Sequence, residues 1–226
     1  MIDLSHIRAL SFDCYGTLID WQTGILHAVR PALSGPRRAQ PDAEIISTFA
    51  SAEREAERPP YVPYKDVLRQ VMVRLAGIGG HSPDPDTLWR SVPHWPAFPE
   101  TPGALGRLQA RFRLAIASNV DDDLFAGTLP KLGVMPETIV TAQQVRSYKP
   151  GRAHFDELLR RLKLRPEQVL HVGESRYHDV EPAGALGFPT VWVNRTGAAP
   201  SASGPGGGEP TRTVRTLSEL ADVLGC

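Results

Sequence analysis

Apolar residues follow two different rhythms along this chain. Short apolar runs occur at Ala9–Phe12, Phe112–Ala117, Thr138–Thr141, Gln168–Val172 and Thr190–Val193, and their unalternating character predicts strands buried on both faces of a sheet. Between them, apolar positions recur at helical spacing over Gly103–Arg111, Asp122–Leu132, Ala153–Leu162 and Val180–Leu186, and a last strand–helix pair is predicted over Thr213–Leu224. Strands alternating with helices predict an α/β fold with a doubly wound parallel sheet.

From residue 22 to 95 the strand rhythm is missing. Ile25, Ala28, Val29 and Leu33 predict a helix over Thr23–Leu33 that stops at Ser34-Gly35-Pro36. Asp42 is placed to cap a second helix, carrying Ile45, Ile46, Phe49 and Ala52 until Pro59-Pro60, with Glu53, Arg54, Glu55, Glu57 and Arg58 read as its solvated face. A third helix spans Lys65–Ala76, a loop Gly77–Pro85, and Asp86 caps a short helix through Leu88, Trp89 and Val92. Two units are therefore expected: a core of residues 1–21 and 96–226, and an inserted helical block of residues 22–95.

In a parallel sheet all carboxyl-terminal strand ends lie on one edge, where α/β proteins bind ligands. That edge collects Asp13 after the first strand, Ser118-Asn119 after FRLAIA, Ser147-Tyr148-Lys149 beyond the third strand, and Glu174, Ser175 and Asp179 after VLHVG. Each alone is an ordinary loop residue; their convergence makes a candidate site. Gly16 lets the backbone leave the sheet just beyond Asp13. Trp95, Phe98, Tyr61 and Tyr64 are equally suited to line the pocket or to form the contact where the two units join.

Composition narrows the partners. With 25 Lys plus Arg against 25 Asp plus Glu, the charge balance asks for neither nucleic acid nor an anionic membrane, so the expected partner is a small molecule. Two cysteines, Cys14 and Cys226, form neither a disulfide framework nor a zinc set, and the N-terminal residues lack the pattern of a secretory leader. A cytoplasmic enzyme is expected, with monomer and homodimer both open. Residues 197–210, rich in Gly, Pro, Ser and Ala, read as a flexible surface segment.

The segments FDCYGTLIDW, IASN, SYKP and VLHVGESRYHD with GFPTVWVNR resemble, in order and spacing, the four motifs of the haloacid dehalogenase (HAD) superfamily of hydrolases. The resemblance implies a Rossmann-like core with a helical cap and a nucleophilic Asp13. It also implies that Thr17 supports the nucleophile, Ser118 and Asn119 hold the substrate's anionic or leaving group, Lys149 orients and neutralises Asp13, and Asp179 serves as base. Tyr15 stands where phosphatases of the superfamily carry an acid, and D-x-Y-G-T resembles the type II, or (S)-2-haloacid, dehalogenases. Asp13 would then displace halide from C2 of a small carboxylate without any cofactor, and water would hydrolyse the ester.

Two features depart from that subgroup. Glu174 stands where a small neutral residue is expected, and Asp13, Glu174, Asp179 and the Tyr15 carbonyl are the oxygen ligands Mg²⁺ favours, so a Mg²⁺-dependent phosphatase is the alternative. The helix reads Phe49-Ala50 where the cap arginine that receives halide would align, leaving Arg54 or Arg58 as candidate substitutes. Hydrolysis of a strained-ring 2-carboxylate, and a binding protein that has lost turnover, complete the alternatives. His178, beside Asp179, is read as a proton relay or as a structural hydrogen-bonding residue.

Overall fold

The structure, a computed structural model, describes residues 5–77, 83–197 and 207–226. Most of the predicted loop from Gly77 to Pro85 and of the Gly-, Pro- and Ser-rich segment at 197–210 lies outside these residues.

Six strands among the described residues form one sheet: β1 (Ala9–Phe12), β2 (Arg113–Ser118), β3 (Thr138–Thr141), β4 (Val169–Gly173), β5 (Thr190–Val193) and β6 (Arg212–Val214). Their order is β3-β2-β1-β4-β5-β6 and every pairing is parallel. The chain winds from β1 outward through β2 to β3, then crosses back to β4, so the direction of winding reverses beside β1. The ligand crevice of a doubly wound sheet lies at that reversal.

The faces of the central strands divide by size. Ala9, Ala115, Ala117 and Val140 leave room for Phe155, Leu158 and Leu162 of helix α9 (Ala153–Leu162), whereas Leu10, Phe12, Leu114, Ile116, Leu170 and Val172 fill the opposite face. That second face packs on α6 (Thr101–Gln109) and α11 (Leu217–Val223) and is continuous with the apolar interior of the helical segment. The remaining helices after β2 are α7 (Asp122–Thr128), α8 (Ala142–Val145) and α10 (Glu181–Ala185).

Between residues 21 and 95 the described chain is helical without a strand, as the missing strand rhythm predicts: α1 (Trp21–Ala32), α2 (Gly35–Arg38), α3 (Asp42–Ala56), α4 (Tyr64–Ala76) and α5 (Thr87–Ser91). Asp42 is the first residue of α3 rather than its cap, a place Pro41 takes, and the helix ends at Ala56, short of Pro59-Pro60. The helix expected from Val180 instead begins with a π-helical turn, Arg176–Val180. The chain enters and leaves the helical lobe side by side: Asp20 N–H donates to the Pro96 carbonyl at 2.9 Å and Phe98 N–H to that of Leu18 at 3.1 Å. Among the described residues no helix is long and apolar enough to cross a membrane.

One carboxylate ties the lobe to the sheet. Asp121, 3% exposed, accepts the Tyr64 N–H at Oδ1 and the Lys65 N–H at Oδ2, both at 3.0 Å. These are the first two residues of α4, so the core supplies the cap that Pro63 cannot. Asp121→Ala strands two N–H groups and should cost about 1–3 kcal/mol. Urea unfolding, combined with faster proteolysis around residues 57–63, is the check.

Candidate active site

Asp13 follows β1 directly and is fixed by its N–H, which donates to the Val172 carbonyl at 2.9 Å. The turn beyond it uses Gly16 at φ 101°, a conformation L side chains avoid. That turn brings Thr17 back so that its Oγ1 donates to Asp13 Oδ2 at 2.8 Å, while the same oxygen accepts the Glu174 N–H at 2.9 Å. Lys149 donates from Nζ to Asp13 Oδ1 (2.8 Å), Asp179 Oδ1 (2.6 Å) and the Ala117 carbonyl (2.8 Å). All three charged groups are buried: the Lys149 and Asp179 side chains are each 1% exposed and that of Asp13 11%.

Two carboxylates around one ammonium leave one unit of net negative charge in a dry setting. Burial opposes the charge on Lys149, but Asp13 and Asp179 outweigh it and raise its pKa, keeping the ammonium charged. Burial also opposes the charge on Asp179, yet Lys149 and His171 hold it well below the usual carboxylate range. Asp13 goes the other way, pushed up by burial and the nearby Asp179 against the pull of Lys149 and Thr17. It is the more basic, more nucleophilic carboxylate of the two. Asp179 can come this close because position 173 is glycine: a Cβ there would lie 2.4 Å from Asp179 Cβ.

Asn119 holds Lys149 at both ends of its peptide unit, accepting its N–H at 2.8 Å and donating to its carbonyl at 3.2 Å. Ser118 Oγ is buried without a partner among the described residues, and Ser175 Oγ accepts the His178 N–H at 3.0 Å. Both residues line the cavity above Asp13, with Asn119 and His178. Burial pushes the His178 imidazole down to about 4, so it is neutral at pH 7. Its Nε2 faces Glu57 Oε2 at 3.8 Å.

The cavity offers about 60 Å³ to water-sized molecules. Tyr15, Trp21, Phe49, Ala50 and Trp95 give it apolar walls. Tyr15 is held by a hydrogen bond between its hydroxyl and Thr128 Oγ1 at 3.0 Å and by an edge-on contact with Trp95. Burial lifts its phenol well above the ordinary value, so it serves as a wall rather than an acid. Of the aromatic residues considered from sequence, Trp95 and Tyr64 line this cavity, Tyr61 lines a neighbouring one, and Phe98 lies under Arg195 at 3.5 Å in a third.

Three expectations are corrected. Glu53 and Glu57 are not a solvated face: both line the Asp13 cavity, Glu53 from α3 and Glu57 from the residue that follows its end, at intervals of four from Phe49. Burial raises Glu53 to about 7, with Asp13 adding to the rise, and lifts Glu57 well above the usual range, with Glu53 next in effect. Arg54 and Arg58 do not reach this cavity; they line the next one, with Arg54 5.9 Å from the Tyr177 ring centroid. Glu174 is turned away as well. Its N–H serves Thr17 and its carbonyl accepts from Trp192 Nε1 at 2.8 Å, which leaves the carboxylate over Gly16 in the third cavity.

The displacement of Glu174 also decides how well the residues suit Mg²⁺. Asp13 spends one oxygen on Lys149 and one on Thr17, and Asp179 Oδ1 is shared by Lys149 and His171. Among the described residues no three His, Cys, Asp or Glu side chains are grouped to hold a metal ion. Asp179 Oδ2 alone of these oxygens is without a partner among the described residues, which falls short of the octahedral oxygen set of Mg²⁺, and the Lys149 ammonium stands between the carboxylates.

A family model described as haloacid dehalogenase-like hydrolase matches residues 7–187. The chain is 27% identical to (S)-2-haloacid dehalogenase H-109 of Pseudomonas putida, over 98% of this chain and 99% of that protein. It is 28% identical to phosphoglycolate phosphatase of Escherichia coli (strain K12), over 100% of this chain and 95% of the other. In fold it is similar to the solved L-2-haloacid dehalogenase from Xanthobacter autotrophicus, with a TM-score of 0.81 at 21% identity, covering 97% of this chain and 98% of that one.

Proposed function

The chain belongs to the haloacid dehalogenase-like hydrolase family, and on that premise we propose that it cleaves small 2-substituted carboxylates through an Asp13 ester, with an (S)-2-haloacid as the substrate the site supports best. The observation that carries this reading is the Asp13–Lys149 pair on the floor of a small, aromatic-walled cavity. A carboxylate is a weak nucleophile in water; burial strips its hydration, while Lys149 and Thr17 hold its orientation.

One Asp13 oxygen attacks C2 of the substrate, a carbon–oxygen bond forms, and halide leaves with the electron pair. Halide is a weak base, so the non-acidic Tyr15 two residues beyond Asp13 is no handicap. The unpartnered Ser118 hydroxyl is the donor for the substrate's carboxylate, and the Asn119 amide, whose weak contact to Glu57 at 3.4 Å the substrate can replace, is the second. Water then attacks the ester carbonyl of Asp13, oriented by the ionised Asp179, while Lys149 stabilises the returning carboxylate. Residues 1–21 with 96–226 act as the core and 22–95 as a cap that excludes bulk water.

Burial shifts both Glu53, raised to about 7, and Glu57 towards the protonated form, which lessens the repulsion two extra carboxylates would exert on an anionic substrate. A phosphate dianion is less well served, because a single ammonium and no metal cage would face it. Cys14 and Cys226 are both free, which suits the reducing cytoplasm.

Incubation with (S)-2-chloropropionate should release chloride at the same rate with Mg²⁺ and with EDTA. Phosphate release from p-nitrophenyl phosphate that EDTA abolishes, without chloride release, would establish the phosphatase instead.

A further inference from the structure

The displacement proposed for Asp13 leaves two half-buried acids in the same cavity without a task. Their placement is informative because displacement at a saturated carbon has a direction: the leaving atom departs opposite the attacking oxygen. Asp13 stands at the end of β1, whereas Glu53 of α3 and Glu57, the residue after its end, line the same cavity from the helical lobe. An atom that Asp13 expels towards the helical lobe meets these two acids.

The pair is built to keep a position. Tyr64 of α4 donates its hydroxyl to Glu53 Oε1 at 2.5 Å, which leaves Oε2 to carry a proton. Glu57 is touched from the core by Asn119, whose Nδ2 lies 3.4 Å from Oε1, and by His178 across the lobe boundary. Glu57 also lines the neighbouring cavity of about 340 Å³, so it has a route for proton exchange that does not pass Asp13. The fully buried Ser118 hydroxyl, unpartnered in the same cavity, adds a donor for the substrate's fixed end.

We propose that the Glu53–Glu57 pair is the proton donor to the leaving atom, which extends the substrates of this site to 2-substituted carboxylates with basic leaving groups, such as fluoride or the nitrogen of a strained ring. The inference rests on the displacement by Asp13. As the Asp13–C2 bond forms and the C2–leaving-group bond breaks, the electron pair goes to the leaving atom and one acid transfers its proton there. Hydrolysis of the ester consumes one water, returns Asp13 as a carboxylate, places a hydroxyl on C2 and gives the remaining proton back to the pair. The groups facing the pair are Asp13, Lys149, Asn119, Tyr148 and His178 from the core, Tyr64 from α4, and Arg54 on α3 itself. Tyr64 and Arg54 favour loss of the Glu53 proton against burial and Asp13, and Lys149, Asn119 and Arg54 favour loss of the Glu57 proton against burial and Glu53.

The test is a leaving-group series, (S)-2-bromo-, 2-chloro- and 2-fluoropropionate, with the wild-type protein and with Glu53→Gln, Glu57→Gln and the double variant. General acid catalysis is worth about 10² to 10⁴-fold, so the fluoride-to-bromide ratio of kcat should fall at least about 10²-fold in the double variant. In the wild type that ratio should decline as pH rises past about 7, where Glu53 gives up its proton. An unchanged ratio in the double variant, or bromide release without fluoride release by the wild type, overturns the proposal while leaving the dehalogenase reading in place. No halide from any of the three overturns both. Infrared spectroscopy gives a readout independent of turnover: a protonated-carboxyl stretch present near pH 6 should disappear in the double variant, and its absence from the wild type would sink the idea.

Discussion

Asp13→Asn should abolish turnover, by at least about 10⁴-fold in kcat/KM given what removal of a covalent nucleophile costs elsewhere, while changing stability little. The amide has the shape of the carboxylate, so one atom can still accept from Lys149 Nζ. The other now donates to Thr17 Oγ1, whose hydroxyl proton must find another acceptor, a cost of about 1 kcal/mol. Against this, one of two carboxylates sharing an ammonium disappears, so Lys149 and Asp179 remain as a balanced pair. Unfolding curves should thus nearly superimpose where rates differ by orders of magnitude. A single turnover of the wild type in ¹⁸O-water should place the heavy oxygen in the Asp13 peptide rather than in the product, because water attacks the carbonyl of the ester. Label found only in the product, or full activity of the Asp13→Asn variant with its new amide shown to be intact, would exclude the ester.

The floor of the site was legible in the sequence because strand ends carry positional information. Asp13, Ser118 and Asp179 each follow an apolar run whose direction in a parallel sheet is known, and Lys149 follows β3 at a distance a loop can bridge. Glu174 shares that neighbourhood in sequence but not in space. Its N–H is spent on Thr17 and its carbonyl on Trp192, and these backbone bonds turn the side chain outward. The acids of α3 failed for another reason: a helical pattern separates apolar from polar faces, and a Glu on a polar-looking face is read as solvated unless something covers it. The available signal was Phe49, Glu53 and Glu57 at successive intervals of four, which stacks them on one face with a buried aromatic. Asp121 could not have been found locally, since its partners Tyr64 and Lys65 lie 57 and 56 residues away.

Lys149→Met should show the opposite balance to Asp13→Asn, losing both activity and stability. Its ammonium touches oxygens of both carboxylates within 2.8 Å, and removing it leaves Asp13 and Asp179 facing each other in a space almost closed to water. Breaking a buried ion pair from one side costs about 3–5 kcal/mol, because the charge left behind keeps its desolvation penalty and loses its compensation. The variant has one escape: one of the two carboxyls can bind a proton, its pKa raised by burial and by its neighbour. A carboxyl whose folded pKa lies above its unfolded value favours folding at low pH and loses that contribution as pH rises through the folded value. Lys149→Met should therefore be markedly less stable than wild type at pH 8 and approach it at pH 5. Adding Asp179→Asn removes the repulsion, so the double variant should recover much of the loss at pH 8, with a coupling energy above the roughly 0.5 kcal/mol expected of independent sites. Equal destabilisation at both pH values, or simple additivity of the two substitutions, would mean that Lys149 contributes packing rather than charge, and the ionised Asp13 on which the chemistry depends would need another source of stabilisation.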